Sequence, residues 1–107
     1  MALSENGLAM KYKVRFLPQA NHDIAGLADI LTPYPQKAKL IFQEMERKID
    51  RLKDNPLEWA VYHANPKYRR VILEDHSLFY VVDEIRCEVL IYRIIYARRD
   101  IPKLLDL

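Results

Sequence analysis

Glycine is nearly absent from this chain, with two in 107 residues, Gly7 and Gly26. No glycine-rich loop is available to cradle a phosphate chain, which removes the nucleotide-binding classes built on one. Cysteine is scarcer still. A single Cys87 excludes an internal disulfide and any paired-thiolate metal site, and fits a reducing compartment. It reads as a buried thiol inside a strand. The three histidines, His22, His63 and His76, are scattered, without HExxH or triad spacing. No metal and no cofactor are expected. No apolar run approaches the roughly 20 residues that cross a bilayer, so no membrane contact is expected. Met1–Ala9, MALSENGLA, lacks a basic start and an apolar stretch, and reads as neither leader nor span. It is expected to be a mobile tail ahead of one domain spanning 10–107.

A strong excess of one charge is missing too. Seventeen Lys and Arg against fifteen Asp and Glu leave a formal charge of +2. Only local clustering can therefore mark an anionic partner.

What the chain does have is clear periodicity. Lys11–Leu17 alternates, with Tyr12, Val14 and Phe16 on a buried face and Lys11, Lys13 and Arg15 on a basic one. Pro18 closes this strand. Gln19–Leu31 takes helical spacing, with Ala20, Ile24, Leu27, Ala28 and Leu31 on one stripe. Gly26 weakens that helix by about 1 kcal/mol relative to Ala and is expected to mark close packing against a second helix. Thr32-Pro33-Tyr34-Pro35 breaks the chain, and Gln36–Asp54 resumes the helix with Ala38, Ile41, Phe42, Met45, Ile49 and Leu52 inward. Asn55-Pro56 ends it. In the loop that follows, Trp59 and Tyr62 are expected to cover one edge of the core.

Three strands follow: Tyr68–Glu74, Ser77–Asp83 and Cys87–Tyr96, joined by Asp75-His76 and Glu84-Ile85-Arg86. The last is apolar on both faces, with Val89, Ile91 and Ile95 on one and Leu90, Tyr92, Ile94 and Tyr96 on the other. Residues from Ile101 onward fit a short helical turn or a loose tail. The order β-α-α-β-β-β predicts a two-layer α+β domain. An antiparallel helical hairpin packs on one face of a four-stranded, mostly antiparallel sheet, with the first strand beside the last and parallel to it.

Cations concentrate at Lys67, Arg69 and Arg70, and at Arg93, Arg98 and Arg99, and the sheet is expected to gather several of them for phosphates or an acidic protein. The alternative is a solvated face paired locally to Glu74, Asp75, Glu88 and Asp100. His76, beside Asp75, is a candidate for acid–base work.

Read whole, the chain resembles the RelE/ParE superfamily of toxins from bacterial type II toxin–antitoxin modules. The resemblance runs from about Tyr12 to Leu105. It lies in YKVRFLPQANHDIAGLADIL, in the long basic helix ending LKDNP, and in YRRVILEDHSLFYVVDEIRCEVLIYRIIYARRDIPKLL, whose RIIYARRDI matches the family's closing pattern. The resemblance implies a cytoplasmic growth inhibitor held by a cognate antitoxin. It also implies one of two targets: DNA gyrase for ParE-like members, or the ribosome and its mRNA for RelE-like members, which cleave RNA. The RelE-like arginine of the second meander strand falls at His76 and Ser77 here and is missing. Arg98 matches another arginine, and the position of a functional tyrosine falls near Leu104. A partial ribonuclease set would draw on Arg98, Arg99, His76 and Tyr80. Lys67, Arg69, Arg70, Arg93, Arg98 and Arg99 are the expected target-binding cations. The closer likeness is to the ParE side.

Overall fold

The computed structural model describes residues 11–105, so the expected tail at 1–9 lies outside the described residues. The elements are β1 (Lys13–Phe16), α1 (Pro18–Ile30), α2 (Pro35–Asp54), β2 (Arg69–Leu73), β3 (His76–Asp83), β4 (Glu88–Tyr96) and α3 (Ile101–Leu105). Both long helices open on a proline at their first position, where the missing N–H needs no partner. Pro18 thus ends β1 by starting α1.

The sheet order is β1-β4-β3-β2. β2, β3 and β4 form the antiparallel meander, and β1 joins β4 in parallel, Lys13 facing Glu88 and Phe16 facing Ile91. Leu17 extends this pairing by donating to the Ile91 carbonyl at 2.9 Å. Both helices cover the same face. Ala20 of α1 and Met45 and Leu52 of α2 meet Val71, Leu73, Leu78, Tyr80, Val89, Ile91 and Ile94. Tyr12, Val14, Phe16, Ile24, Ile49 and Val82 pack around them, and Leu27, Leu31 and Ile41 lock the hairpin tip in a smaller cluster.

The other face is not bare. Tyr62, Tyr68, Phe79, Ile95, Ile101 and Leu105 form a second core, sealed by α3. Ile101–Leu105 is therefore an anchored helix rather than a loose tail. Trp59 packs on the first core and Tyr62 in the second, so the loop covers both sides of the sheet.

Four local expectations are corrected. The alternation of β4 breaks where Tyr80 pairs with Ile91 and Phe79 with Arg93, which leaves Tyr92 as an extra residue. Beyond this bulge the faces exchange. Ile94 enters the helix-side core and Ile95 the second core, the reverse of unbroken period two. The β2–β3 turn lies one residue early, at Glu74-Asp75 with Glu74 at φ +55°, so His76 opens β3. Cys87 is not in a strand. It is half-buried in the β3–β4 turn at φ +55°, a turn tied by Asp83 Oδ1 accepting from the Ile85 and Arg86 amides at 3.1 and 3.0 Å. Gly26 does not mark a tight approach, because a Cβ built there meets nothing within 4 Å.

Candidate functional site

The sheet does not gather the six expected cations; it divides them. Strand alternation sends the neighbours Arg69 and Arg70 to opposite faces. Arg69 turns to the helix side and donates from Nη1 to the Trp59 carbonyl at 2.6 Å. Its cross-strand partner Tyr80 is fully buried there and donates to the Pro56 carbonyl at 2.7 Å. Together they staple the 56–59 loop over the core. Burial pushes the Tyr80 phenol up to about 12, with the Arg69 charge opposing. A hydroxyl sealed in this way meets no polymer substrate, and the catalytic role considered for Tyr80 is set aside on that geometry.

Arg93 is also committed. Its Nε and Nη2 donate to the Asp23 carboxylate at 2.8 and 3.2 Å, and its Nη1 to the Leu104 carbonyl at 3.2 Å. The pair is largely shielded, at 17% and 10% side-chain exposure. Asp23 also accepts the Ile94 backbone N–H at 2.9 Å. β1 stops opposite Ile91, and this carboxylate takes over the border of β4 just beyond it.

Lys67 and Arg70 remain on the α3 side. The Lys67 ammonium lies 5.3 Å from the ring centres of both Tyr68 and Tyr92. These residues line an open groove of about 720 Å³ that runs from Leu17 to Leu105. Arg70 lies over Tyr62 and Phe79 at 5.4 and 6.0 Å and donates from Nε to the buried Ser77 hydroxyl at 2.8 Å. A guanidinium from β2 thus sits on the serine that holds the position of the missing arginine.

The third region is the outgoing end of β4. Arg98 and Arg99 follow it in an exposed turn, and neither guanidinium has an acceptor among the described residues. Arg99 shares a cleft of about 220 Å³ with His76, His22 and Tyr96, floored by Gly26 and Ile94. Asp75 Oδ1 lies 2.9 Å from His76 Nδ1, and the His76 ring sits 5.4 Å from that of Tyr96. Partial burial pulls the Asp75 carboxyl upward, but the His76 hydrogen bond, its own backbone amide and Lys37 at 3.7 Å outweigh it and hold the group below its ordinary value. An ionised Asp75 only accepts, so the hydrogen it shares with His76 is carried on Nδ1. Of the four catalytic candidates, this region brings His76 and Arg99 together, leaves Arg98 beside them and excludes Tyr80.

Asp23, Ser77 and the Tyr68–Tyr92 platform were not singled out as site partners. Asp23 looked like one more polar position on a helix, because its partner lies 70 residues away. Among the described residues no group of three or more His, Cys, Asp or Glu is placed to hold a metal ion, and no helix is long and apolar enough to cross a membrane.

Residues 14–101 match the family of the ParE toxin of type II toxin–antitoxin systems, parDE. No curated protein matches by sequence. Solved structures do. The chain is similar to one from the chromosomal ParDE toxin–antitoxin system of P. aeruginosa, at TM-score 0.67 and 20% identity, covering 84% of this chain and 100% of that one. It is similar to an arginine-to-alanine double mutant of E. coli RelE in the free state, at TM-score 0.65 and 15% identity over 89% and 93%. A RelBE toxin–antitoxin complex from Mycobacterium tuberculosis aligns at TM-score 0.59 and 20% identity over 80% and 98%.

Proposed function

This chain belongs to the family of ParE toxins of type II toxin–antitoxin systems, and from that membership we propose that it arrests growth by binding and poisoning DNA gyrase while a cognate antitoxin holds it in check. The observation that carries the reading is how the candidate catalytic groups are disposed. Tyr80 is sealed beneath the helices and Arg93 is bound to Asp23, whereas Arg98 and Arg99 stand exposed at the end of β4. Two planar cations in the turn that leaves β4 suit a docking contact with carboxylates or phosphates better than they suit bond cleavage. The antitoxin partner is supported by the ParDE and RelBE systems among the similar structures.

The experiment runs two assays on one preparation: supercoiling by DNA gyrase, and cleavage of mRNA on programmed ribosomes. The expected result is inhibition of supercoiling with intact mRNA. Replacing Arg98 and Arg99 together with alanine should remove growth inhibition and leave the melting temperature unchanged. Each lost charge-assisted contact to the target is worth about 1.5–3 kcal/mol. Retained toxicity in a folded double variant rejects the assignment.

One observation favours the RNA-cleaving reading instead: His76, oriented by Asp75, shares its cleft with Arg99. A base and a cation at one opening are the minimum for attack of a 2′-hydroxyl on the adjacent phosphate. If ribosome-dependent cleavage appears and is lost in His76→Ala, that reading replaces the first.

A further inference from the structure

Gly26 has no packing reason to be a glycine, since a Cβ built there meets nothing within 4 Å. His22, Gly26 and Ile30 recur at four-residue steps, so they form one stripe of α1. That stripe walls a cleft of about 220 Å³ between α1 and the outgoing end of β4. His76 and Tyr96 pair across β3 and β4 and line the same cleft, with Arg99 from the turn beyond. A side chain at position 26 would occupy space that the glycine leaves open.

The polar groups around this space are able to donate and lack acceptors. The His22 ring, the Tyr96 hydroxyl and the Arg99 guanidinium have no hydrogen-bond partner among the described residues. His76 engages Asp75 through Nδ1 and leaves its other ring nitrogen unengaged. Two carboxylates lie near, and both are occupied. Asp23, in the lining, accepts from Arg93, from the Ile94 amide and from Gln19. Asp75, outside the lining, holds His76 and lies 3.7 Å from Lys37. With Asp23 balanced by Arg93, the charge left over in the lining is that of Arg99. Leu27 and Ile94 are buried in the same lining, and an apolar floor strengthens charge-assisted bonds made above it.

We propose that this cleft binds one phosphate group, inorganic or at the end of a small phosphomonoester, with Arg99, His22 and Tyr96 donating to its oxygens. The free nitrogen of His76 shares one proton with a phosphate oxygen, whichever of the two carries it. Donors that arrive from α1, from β3 and from the end of β4 surround a tetrahedral group; a planar carboxylate is matched by a single guanidinium fork. The volume lies below the roughly 300 Å³ at which ordinary ligand pockets begin, so it holds a phosphate and a short stem. The inference goes beyond the gyrase reading. It shares Arg99 with that reading but is tested on the protein with no target present, so either can fail alone.

The test titrates the full chain with inorganic phosphate, glycerol phosphate and acetate at constant ionic strength. Binding is followed by calorimetry, and the histidine rings by NMR. Both phosphates should bind saturably and shift the ring signals of His22 and His76, and acetate should do neither. His22→Leu and Arg99→Leu should each weaken binding by about tenfold or more. Gly26→Leu should fill the cleft and abolish binding with no fall in melting temperature, because leucine is the better helix former. If that variant fails to fold, His22→Leu and the ring signals decide. An oligothymidylate without a terminal phosphate carries only diesters and should not compete. The proposal is overturned if phosphate binding does not saturate, if acetate binds as well, if folded Gly26→Leu or His22→Leu binds like the parent, or if the oligothymidylate displaces phosphate at the His22 and His76 signals.

Discussion

Asp23 holds four donors with one carboxylate: two from Arg93, the backbone amide of Ile94 and, at 3.4 Å, the side-chain amide of Gln19. Removing it strips a largely buried guanidinium of its carboxylate, leaving it the Leu104 carbonyl alone, and orphans a strand amide at the same time. Asp23→Ala is expected to cost about 3–4 kcal/mol, in the range for breaking a buried pair from one side. In a domain of this size that lowers the melting temperature by on the order of 10–20 °C, measurable by calorimetry. Tyr80 is a second structural residue that resembles a functional one. Its phenol is raised from 10.0 to about 12, with burial as the main cause. The folded state therefore keeps a proton that the unfolded chain releases near pH 10. This contribution is fully present below pH 10 and is lost as pH rises through 12, and it amounts to about 3 kcal/mol. Tyr12 is raised in the same direction, first by burial and then by Cys87 and Glu84. Denaturant melts from neutral pH to about pH 11 should show an alkaline decline, and Tyr80→Phe should flatten it while costing about 1–2 kcal/mol at neutral pH. Growth inhibition should survive that substitution, and its loss in a folded variant would return Tyr80 to the site.

Among the elements, α1 carries an unexplained weak point in Gly26. Nothing in the structure requires a glycine there, since an added methyl meets open space and the backbone is ordinary helix. Gly26→Ala is expected to raise stability by roughly 0.5–1 kcal/mol, read as a higher melting temperature. A lower value would mean that the cleft beside it needs the gap. At the other end, α3 is short but seals the second core through Ile101 and Leu105. Ile101→Ala should cost about 2–4 kcal/mol, as truncation of a buried aliphatic does. The regular elements were legible because their periods are long and their prolines sit where helices start. The faces of β4 were legible only as far as Ile91. A bulge adds a residue without altering composition, so counting alternate positions carries the wrong parity past Tyr92.

At the scale of the whole molecule, the two-layer arrangement and the parallel placement of β1 follow from the element order, but the distribution of charge does not. Sequence neighbours such as Arg69 and Arg70 part company across the sheet, whereas Asp23 and Arg93 come together from opposite ends of the chain. A linear reading finds cations; only the fold decides which are already paired. Hence Arg69 and Arg93 became structural, Arg70 and Lys67 became fixed surface cations, and Arg98 and Arg99 stayed open.

The pairing of β1 with β4 also fixes an order in time. Lys13 meets Glu88 only after the 74 residues between them have been made. Until then the sheet lacks the strand at its centre, and the helical hairpin has nothing complete to cover. Closing so long a loop is slow, and its entropy is repaid only when β1 and β4 pair. Interrupted synthesis should therefore yield no weaker version of the protein. Chains ending before Glu88 are expected to be protease-sensitive and inert, whereas chains reaching past Tyr96 acquire resistance in one step. For a member of a toxin family, growth inhibition by such truncated chains is expected to be absent, and a growth assay on chains ending before Glu88 checks it.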